Sequence, residues 1–265
     1  MSKPEARFRA ILFDSGRTLA RPRSGHWFIP PGYRLLFDQE LRPRYGNARL
    51  EAAFRHGHAY LDDHHHLQTE SEELAQFKTF YTIFFKHLNY PAGEDLILGL
   101  AEESVFNDDK YEFYPDCFDL LPGLAEHYLL GIVSDAWPSL ERVYINQGLR
   151  GYFSSFVISA RLGSTKPRAL NYQVALAELE VTADETVFVD DNLRCLEGAA
   201  ALGIQPVLID RDHRIPHNFL RFYGFLRPLF TKKSQKSRLE TSGLPFPRIC
   251  GLADLLALLN NLSHR

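Results

Sequence analysis

The chain has 265 residues, 45% hydrophobic and 24% charged, with a formal charge of −3. This composition belongs to an ordinary globular protein, long enough for one large domain or for a core domain with a smaller one inserted. It gives no reason to expect nucleic acid or an anionic membrane as a global partner. The three scattered cysteines (Cys117, Cys195, Cys250) form neither a disulfide framework nor a paired metal motif. The charged N-terminus does not read as a signal peptide, and no run approaches the roughly 20 apolar residues of a membrane span. The expected compartment is a reducing cytoplasm.

Residues 8–13, interrupted only by Arg9, are long enough for one buried strand. The strand runs into Asp14, and Ser15, Gly16, Arg17 and Thr18 are small or polar, as a tight loop requires. Open α/β sheets place their chemistry at the C-terminal ends of parallel strands, where this carboxylate would sit. Asp followed by Ser-Gly is also ordinary turn chemistry. Residues 21–25 read as a breaker-rich linker. From about 31 to 110 the pattern is helical, with segments starting near 33, 50, 74 and 96. Leu74, Phe77, Tyr81, Phe84, Phe85 and Leu88 recur at three- and four-residue spacing, the strongest helix signal in the chain. An all-helical block between strands reads as an inserted bundle, which sets boundaries of 23–111 for the block and 1–22 with 112–265 for the core.

Beyond Tyr114-Pro115 the rhythm changes. Predicted helices at 120–128, 140–147, 169–180 and 193–202 alternate with strands at 129–133, 156–159, 186–189 and 206–209. Gly203 stops the last of these helices. That alternation predicts a doubly wound parallel sheet built of right-handed crossovers, an α/β fold. Residues 212–247 are too long for an ordinary connection. Counted over 211–238, eight Lys/Arg stand against one acid, Asp212, with aromatics interleaved. Such a segment suits docking on an anionic surface, a protein partner or single-stranded nucleic acid; the plainer outcome is that its aromatics fold back on the sheet edge while its lysines form a solvated loop. Residues 251–259 predict a short closing helix.

Four polar signals sit at or beside strand ends: Asp14 with Thr18, Ser134 with Asp135, Lys166-Pro167, and Asp190-Asp191-Asn192. Each has a plain structural explanation by itself, as a cap, a turn or a helix start. Together and in this order they resemble the haloacid dehalogenase superfamily, over residues 8–19 and about 114–209, and residues 148–153 and 187–203 follow its wording closely. The resemblance implies a Rossmann-like core with a helical cap, and an Asp14 nucleophile. It further implies a Mg²⁺ site made of the Asp14 side chain, the Gly16 carbonyl and Asp191. Thr18 and Ser134 would donate hydrogen bonds to Asp14 and the transferred group. Lys166 would offset phosphate charge, and Asp190 would hold Lys166 or a metal-bound water. Ser15, Arg17 and Asp135 join Ser134 and Lys166 as expected substrate contacts, the substrate being a small phosphorylated metabolite.

One departure matters. Phosphatases of the superfamily carry an acid-base aspartate two positions after the nucleophile; here that position is Gly16, followed by Arg17. Such help is worth roughly 10²- to 10⁴-fold in rate, or about 3 to 5 kcal/mol of barrier. Three outcomes follow. The protein is a phosphatase for good leaving groups, or one with an acid from elsewhere; it is a carbon-halogen or carbon-phosphorus hydrolase; or it is a binder of a phosphorylated ligand with weak or no turnover. Asp191 argues against the dehalogenase, and the lack of any lysine between Lys3 and Lys78 argues against the phosphonate hydrolase. His56, His58, His64, His65 and His66 fit a solvated helix face better than a metal site. One of them, or His26, is a candidate for the substitute acid. Arg17 and Arg21 are candidates to face a cleft between core and block. Oligomeric state is left open.

Overall fold

A computed structural model describes residues 7–211 and 246–263. The chain opens with β1 (Ala10–Phe13) and β2 (Ala20–Pro22), then the helices α1 (Arg42–Tyr45), α2 (Asn47–Asp63), α3 (Glu70–Leu88) and α4 (Glu94–Phe106). It continues with β3 (Tyr111–Phe113), α5 (Pro115–Ala125), β4 (Leu129–Ser134), α6 (Ser139–Asn146), β5 (Ser155–Ile158) and α7 (Ser159–Leu162). The remainder is α8 (Ala169–Leu179), β6 (Thr186–Asp190), α9 (Leu193–Ala201), β7 (Gln205–Ile209), β8 (Arg248–Ile249) and α10 (Leu252–Ser263).

Six parallel strands form one sheet in the order β5-β4-β1-β6-β7-β8. Its strands are near-continuous apolar runs because both faces are covered. In β1, Ile11 and Phe13 point into one buried cluster while Ala10 and Leu12 point into the other. In β6, Val187 and Val189 take the first side and Phe188 the second. The chain builds outward from β1 on one side (β4, β5) and then returns to the other (β6, β7, β8), so the strand order reverses at β1. That is where an open α/β sheet forms its crevice.

The helical block has its own core, in which Phe37, Phe54, Phe80, Tyr81, Phe84 and Leu88 are buried together. Helix α3 opens on a reciprocal cap: Thr69 accepts from the Glu72 backbone, and the Glu72 carboxylate accepts from Thr69. Residues 31–45 are tighter and wider turns rather than the single amphipathic helix predicted there, with Pro43 inside.

Two differences from the sequence expectation are substantive. Residues 21–25 are not simply a linker, since Arg21 and Pro22 belong to β2, which pairs antiparallel with β3. Arg21 and Glu112 lie opposite each other there and form an ion pair at 2.8 Å. A three-residue strand carries no readable alternation, and Pro22 argued against one. Strand β8 was also not foreseen. The aromatic and basic segment at 212–245 lies outside the described residues. Arg211, counted with it, is instead buried in the core, where Nη1 donates to Asp116 at 2.6 Å and Nε to the Thr18 carbonyl at 3.0 Å. No helix among the described residues is long and apolar enough to cross a membrane.

Gly198 in α9 lets that helix approach the segment carrying Lys166. A Cβ there would stand 2.6 Å from the Pro167 carbonyl oxygen and 2.7 Å from the Pro167 Cβ. The obstruction is backbone and does not swing aside, so Gly198→Ala should cost about 1–3 kcal/mol of stability. Urea unfolding reads this directly; an unchanged midpoint would show that the approach is not tight in solution.

Candidate active site

The C-terminal ends of β4, β1 and β6 lie side by side and carry the polar signals picked from the sequence. Asp14 follows β1, and its amide donates to the Val189 carbonyl of β6 at 2.9 Å. Lys166 reaches in from the segment before α8. Its Nζ donates to Asp14 Oδ1 at 2.6 Å and to Asp190 Oδ2 at 2.7 Å, with only 3% of its side chain exposed. Burial by itself would depress the Lys166 pKa, but the two carboxylates outweigh it and hold the group well above its ordinary value. The other oxygen of Asp190 accepts from the Asn192 amide at 2.7 Å, while Asn192 caps α9. Asp190 is thereby fixed at both oxygens, and it fixes Lys166.

Asp14, Asp190 and Asp191 present carboxylate oxygens within 4.8 Å of one another. Three carboxylates around one ammonium leave negative charge in excess. Burial pushes Asp190 up, with Asp14 and Asp191 adding to it against the pull of Lys166. Burial followed by the Asp14 charge pushes Asp191 up to about 7, with Arg17 and Lys166 opposing. An all-oxygen donor set with surplus negative charge suits a hard divalent cation. Because Asp190 is committed to Lys166 and Asn192, Asp14 and Asp191 are the two carboxylates fitted to hold one.

The cleft above these residues has a volume of about 800 Å³ and takes in Ser15, Gly16, Arg17, Ser134, Asp135 and Lys166. The Ser15 hydroxyl accepts from Tyr144 at 2.9 Å, and Asp135 accepts from the Lys166 amide at 2.9 Å. Thr18 departs from expectation. Its hydroxyl is buried without a hydrogen-bond partner among the described residues, so it does not donate to Asp14, and it lines no part of the cleft. The loop turns there, with the Leu19 and Ala20 amides both donating to the Ser15 carbonyl, which carries Thr18 inward. Arg17 lines the cleft; Arg21 does not.

The histidines divide. His56, His64 and His66 are exposed, whereas His58 and His65 are half-buried, unlike a solvated face. His65 Nε2 lies 2.7 Å from Ser159 Oγ, linking block to core. His26 is turned away from the cleft: its ring packs 4.6 Å from Phe54 and its Nδ1 accepts from the Phe28 amide. It is not placed to act as the substitute acid.

The roof of the cleft was not foreseen: Trp27, Phe28, Phe77, Tyr111 and Trp137 line it, together with Lys110. Nor were the ties holding helix α3 to the core. Glu73, fully buried, accepts from the Ser139 amide at 2.9 Å and the Ser139 hydroxyl at 2.8 Å. Trp137 Nε1 donates to Gln76 at 2.6 Å, and Arg142 Nε to Glu70 at 2.9 Å. The sole readable hint was that both tryptophans of the chain fall in segments flanking the motifs.

The family model for haloacid dehalogenase-like hydrolases matches residues 68–209, just over half of the chain. The chain belongs to that family. Among curated proteins it is similar to a ribulose-1,5-bisphosphate 5-phosphatase of Halopiger xanaduensis, 29% identical over 121 residues. That match takes in 44% of this chain and spans half the length of the relative. Among solved structures it resembles a 2-haloacid dehalogenase of Pseudomonas syringae, with 19% identity, TM-score 0.59, and 96% and 99% of the two chains covered. It also resembles a HAD hydrolase of Bacillus subtilis solved with magnesium, with 17% identity, TM-score 0.61 and coverage of 96% and 99%. A HAD phosphatase of Thermococcus onnurineus matches with 19% identity, TM-score 0.56 and coverage of 95% and 98%. At these identities the structural likenesses establish the fold.

The buried state of His26 has a consequence in pH. Burial, then repulsion from His58, Arg17 and Arg42, lowers its pKa to about 4 from 6.5. Between those values the unfolded chain binds a proton that the fold refuses, so stability falls as pH drops from 6.5 towards 4. His26→Gln should flatten that part of the urea-midpoint profile; an identical slope in the variant would contradict the assignment.

Proposed function

We propose that the protein is a Mg²⁺-dependent phosphatase acting on a small phosphorylated metabolite of the cytoplasm through an aspartyl-phosphate at Asp14. The observation that carries this reading is Lys166 bound to both Asp14 and Asp190, with Asp191 beside them. A carboxylate attacking a phosphate dianion is opposed by like charge, and the site meets that with one buried ammonium and a donor set fitted to a divalent cation. The phosphatase relative supports the same choice among the chemistries of the family. Residues 23–111 would serve as the cap over a core made of 1–22 and 112–265.

In this reading the Asp14 carboxylate forms a bond to phosphorus while the bond to the leaving oxygen breaks, that oxygen keeping the electron pair. Lys166 steadies the phosphoryl oxygens from the side of β6, and Asp190 keeps Lys166 in place. Ser134 and Ser15, with Arg17 and Asp135 at the rim, bound the space for the transferred group. Water then cleaves the acyl phosphate, releasing phosphate and restoring the Asp14 carboxylate. Mg²⁺, held by Asp14, Asp191 and the Gly16 carbonyl, would supply positive charge against the phosphoryl oxygens. With Gly16 in place of an acid, the leaving group must depart largely unprotonated.

Phosphate release from p-nitrophenyl phosphate and acetyl phosphate should require Mg²⁺ and should fall on the order of 10⁴-fold or more in Asp14→Asn. No turnover above that variant, in folded protein, would replace the hydrolytic reading with ligand binding. Gly16→Asp should raise turnover of alkyl phosphates more than of aryl phosphates. A Cβ at that position meets only ordinary contacts, the nearest Trp27 Cζ2 at 3.5 Å. Equal gains, or none, for both ester classes would remove Gly16 as the explanation of a missing acid.

A further inference from the structure

Five aromatic side chains line the cleft, and one of them belongs to no buried cluster among the described residues. Trp27 and Trp137 are the two tryptophans of the chain, and both line this cleft. Trp137 packs against the core of the helical block, at 5.3 Å from Phe77 and 5.9 Å from Phe28, and its Nε1 is pinned to Gln76. Trp27 is different. It belongs to none of the three buried clusters found among the described residues, and it is half-exposed. Its ring neighbour is Tyr111, with centroids 5.2 Å apart. Lys110 is held against the same wall: its Nζ donates to the Ser104 carbonyl and lies 5.1 Å from the Tyr111 ring.

The position of Trp27 is the informative part. Its indole stands over Gly16, with Cζ2 at 3.5 Å and Cε2 at 3.9 Å from where a Cβ would be, and that Cβ would itself be 3.9 Å from Asp14 Oδ2. An apolar ring therefore flanks the nucleophile at the point where acid-base help is lacking. A partly buried indole in the same cleft as that carboxylate offers a flat, apolar surface on which an aromatic group of a substrate can stack.

We propose that the leaving group recognised by this cleft is an aromatic ring, making the substrate class aryl phosphate monoesters. The proposal rests on the phosphatase reading and narrows it. Two independent features select this class. The Trp27–Tyr111 wall offers stacking surface next to Asp14. Gly16 supplies no proton, and a phenol, with a pKa near ~10, leaves as its anion far more readily than an aliphatic alcohol, whose pKa is closer to the ~15.7 of water. In the transfer step the bond between phosphorus and the aryl oxygen breaks, and the phenolate takes the electron pair and later a proton from solvent.

Phenyl phosphate, benzyl phosphate and acetyl phosphate separate the two features, since the first has the ring and the good leaving group, the second the ring alone and the third the leaving group alone. With both tryptophans in the cleft, intrinsic fluorescence reads binding without turnover. In Asp14→Asn with Mg²⁺, phenyl and benzyl phosphate should quench that fluorescence at concentrations about tenfold or more below acetyl phosphate, the size of one stacked ring pair. In the unaltered protein phenyl phosphate should have a higher kcat/KM than benzyl phosphate, which shares the ring but not the leaving group, and a lower KM than acetyl phosphate, which lacks the ring. Trp27→Ala should lower the phenyl-to-acetyl ratio of kcat/KM about tenfold, and Trp27→Phe should restore most of it. Acetyl phosphate hydrolysed with a KM equal to or below that of phenyl phosphate, or a ratio unmoved by Trp27→Ala, would overturn the ring assignment and leave the phosphatase standing. Ring-dependent quenching without turnover of any ester would overturn the hydrolytic reading and the substrate assignment with it, leaving a site that binds rings.

Discussion

One buried ammonium organises this molecule. Lys166 has lost nearly all its water, and it is tolerated because Asp14 and Asp190 stand within 2.7 Å. Burying a charge without such partners costs several kcal/mol, so the partners dictate where the chain has to run. The strand ends of β1 and β6 must be neighbours, the segment before α8 must reach across them, and α9 must come close enough behind that a glycine is needed at 198. The arrangement is also unbalanced, since Asp191 adds a third carboxylate to a single ammonium. A structure optimised for stability alone would not keep that surplus, and the surplus is what makes the site fit for a divalent cation.

A second system of buried polar groups governs the mouth of the cleft. Glu73 crosses from α3 to the first turn of α6, and burial pushes its pKa up against the effect of Lys110 and the two Ser139 hydrogen bonds. One helical turn further along, the Gln76 side-chain oxygen accepts from Trp137 Nε1, and Glu70 accepts from Arg142 Nε. These ties hold the aromatic roof over Asp14.

Much of this was legible in the sequence, for identifiable reasons. Strands buried on both faces appear as apolar runs, so β1, β4, β6 and β7 could be placed within two residues, and α6, α8 and α9 with them, whereas α5 starts five residues before the expected position and α7 was not foreseen. Asp14, Lys166, Asp190 and Asp191 were legible only as a set, because each separately reads as a turn, a surface lysine or a helix start. What escaped depends on long-range packing. Glu73 sits among three acidic residues in the first turn of α3, which reads as solvated complementarity to the helix dipole, until Ser139, 66 residues on, buries it. Arg211 reads as the start of a basic run, yet Asp116 holds it inside. Thr18 matches a motif position, but the loop directs its hydroxyl away from Asp14.

The pairing of β2 with β3 bears on how such a chain is assembled. The polypeptide leaves the core beyond Pro22 and returns at Tyr111, and these two residues face each other across the ribbon. The chain between them leaves and re-enters the core through this one ribbon, and the further ties from Glu70, Glu73, Gln76 and His65 are non-covalent, so its length places no demand on the spacing of the core strands. A block joined in this way can be lengthened, shortened or exchanged by splicing at one ribbon while the sheet and its buried lysine stay as they are. The spacing of the strand ends that carry Asp14, Lys166 and Asp190 is thus set by the sheet, whatever the size of the block.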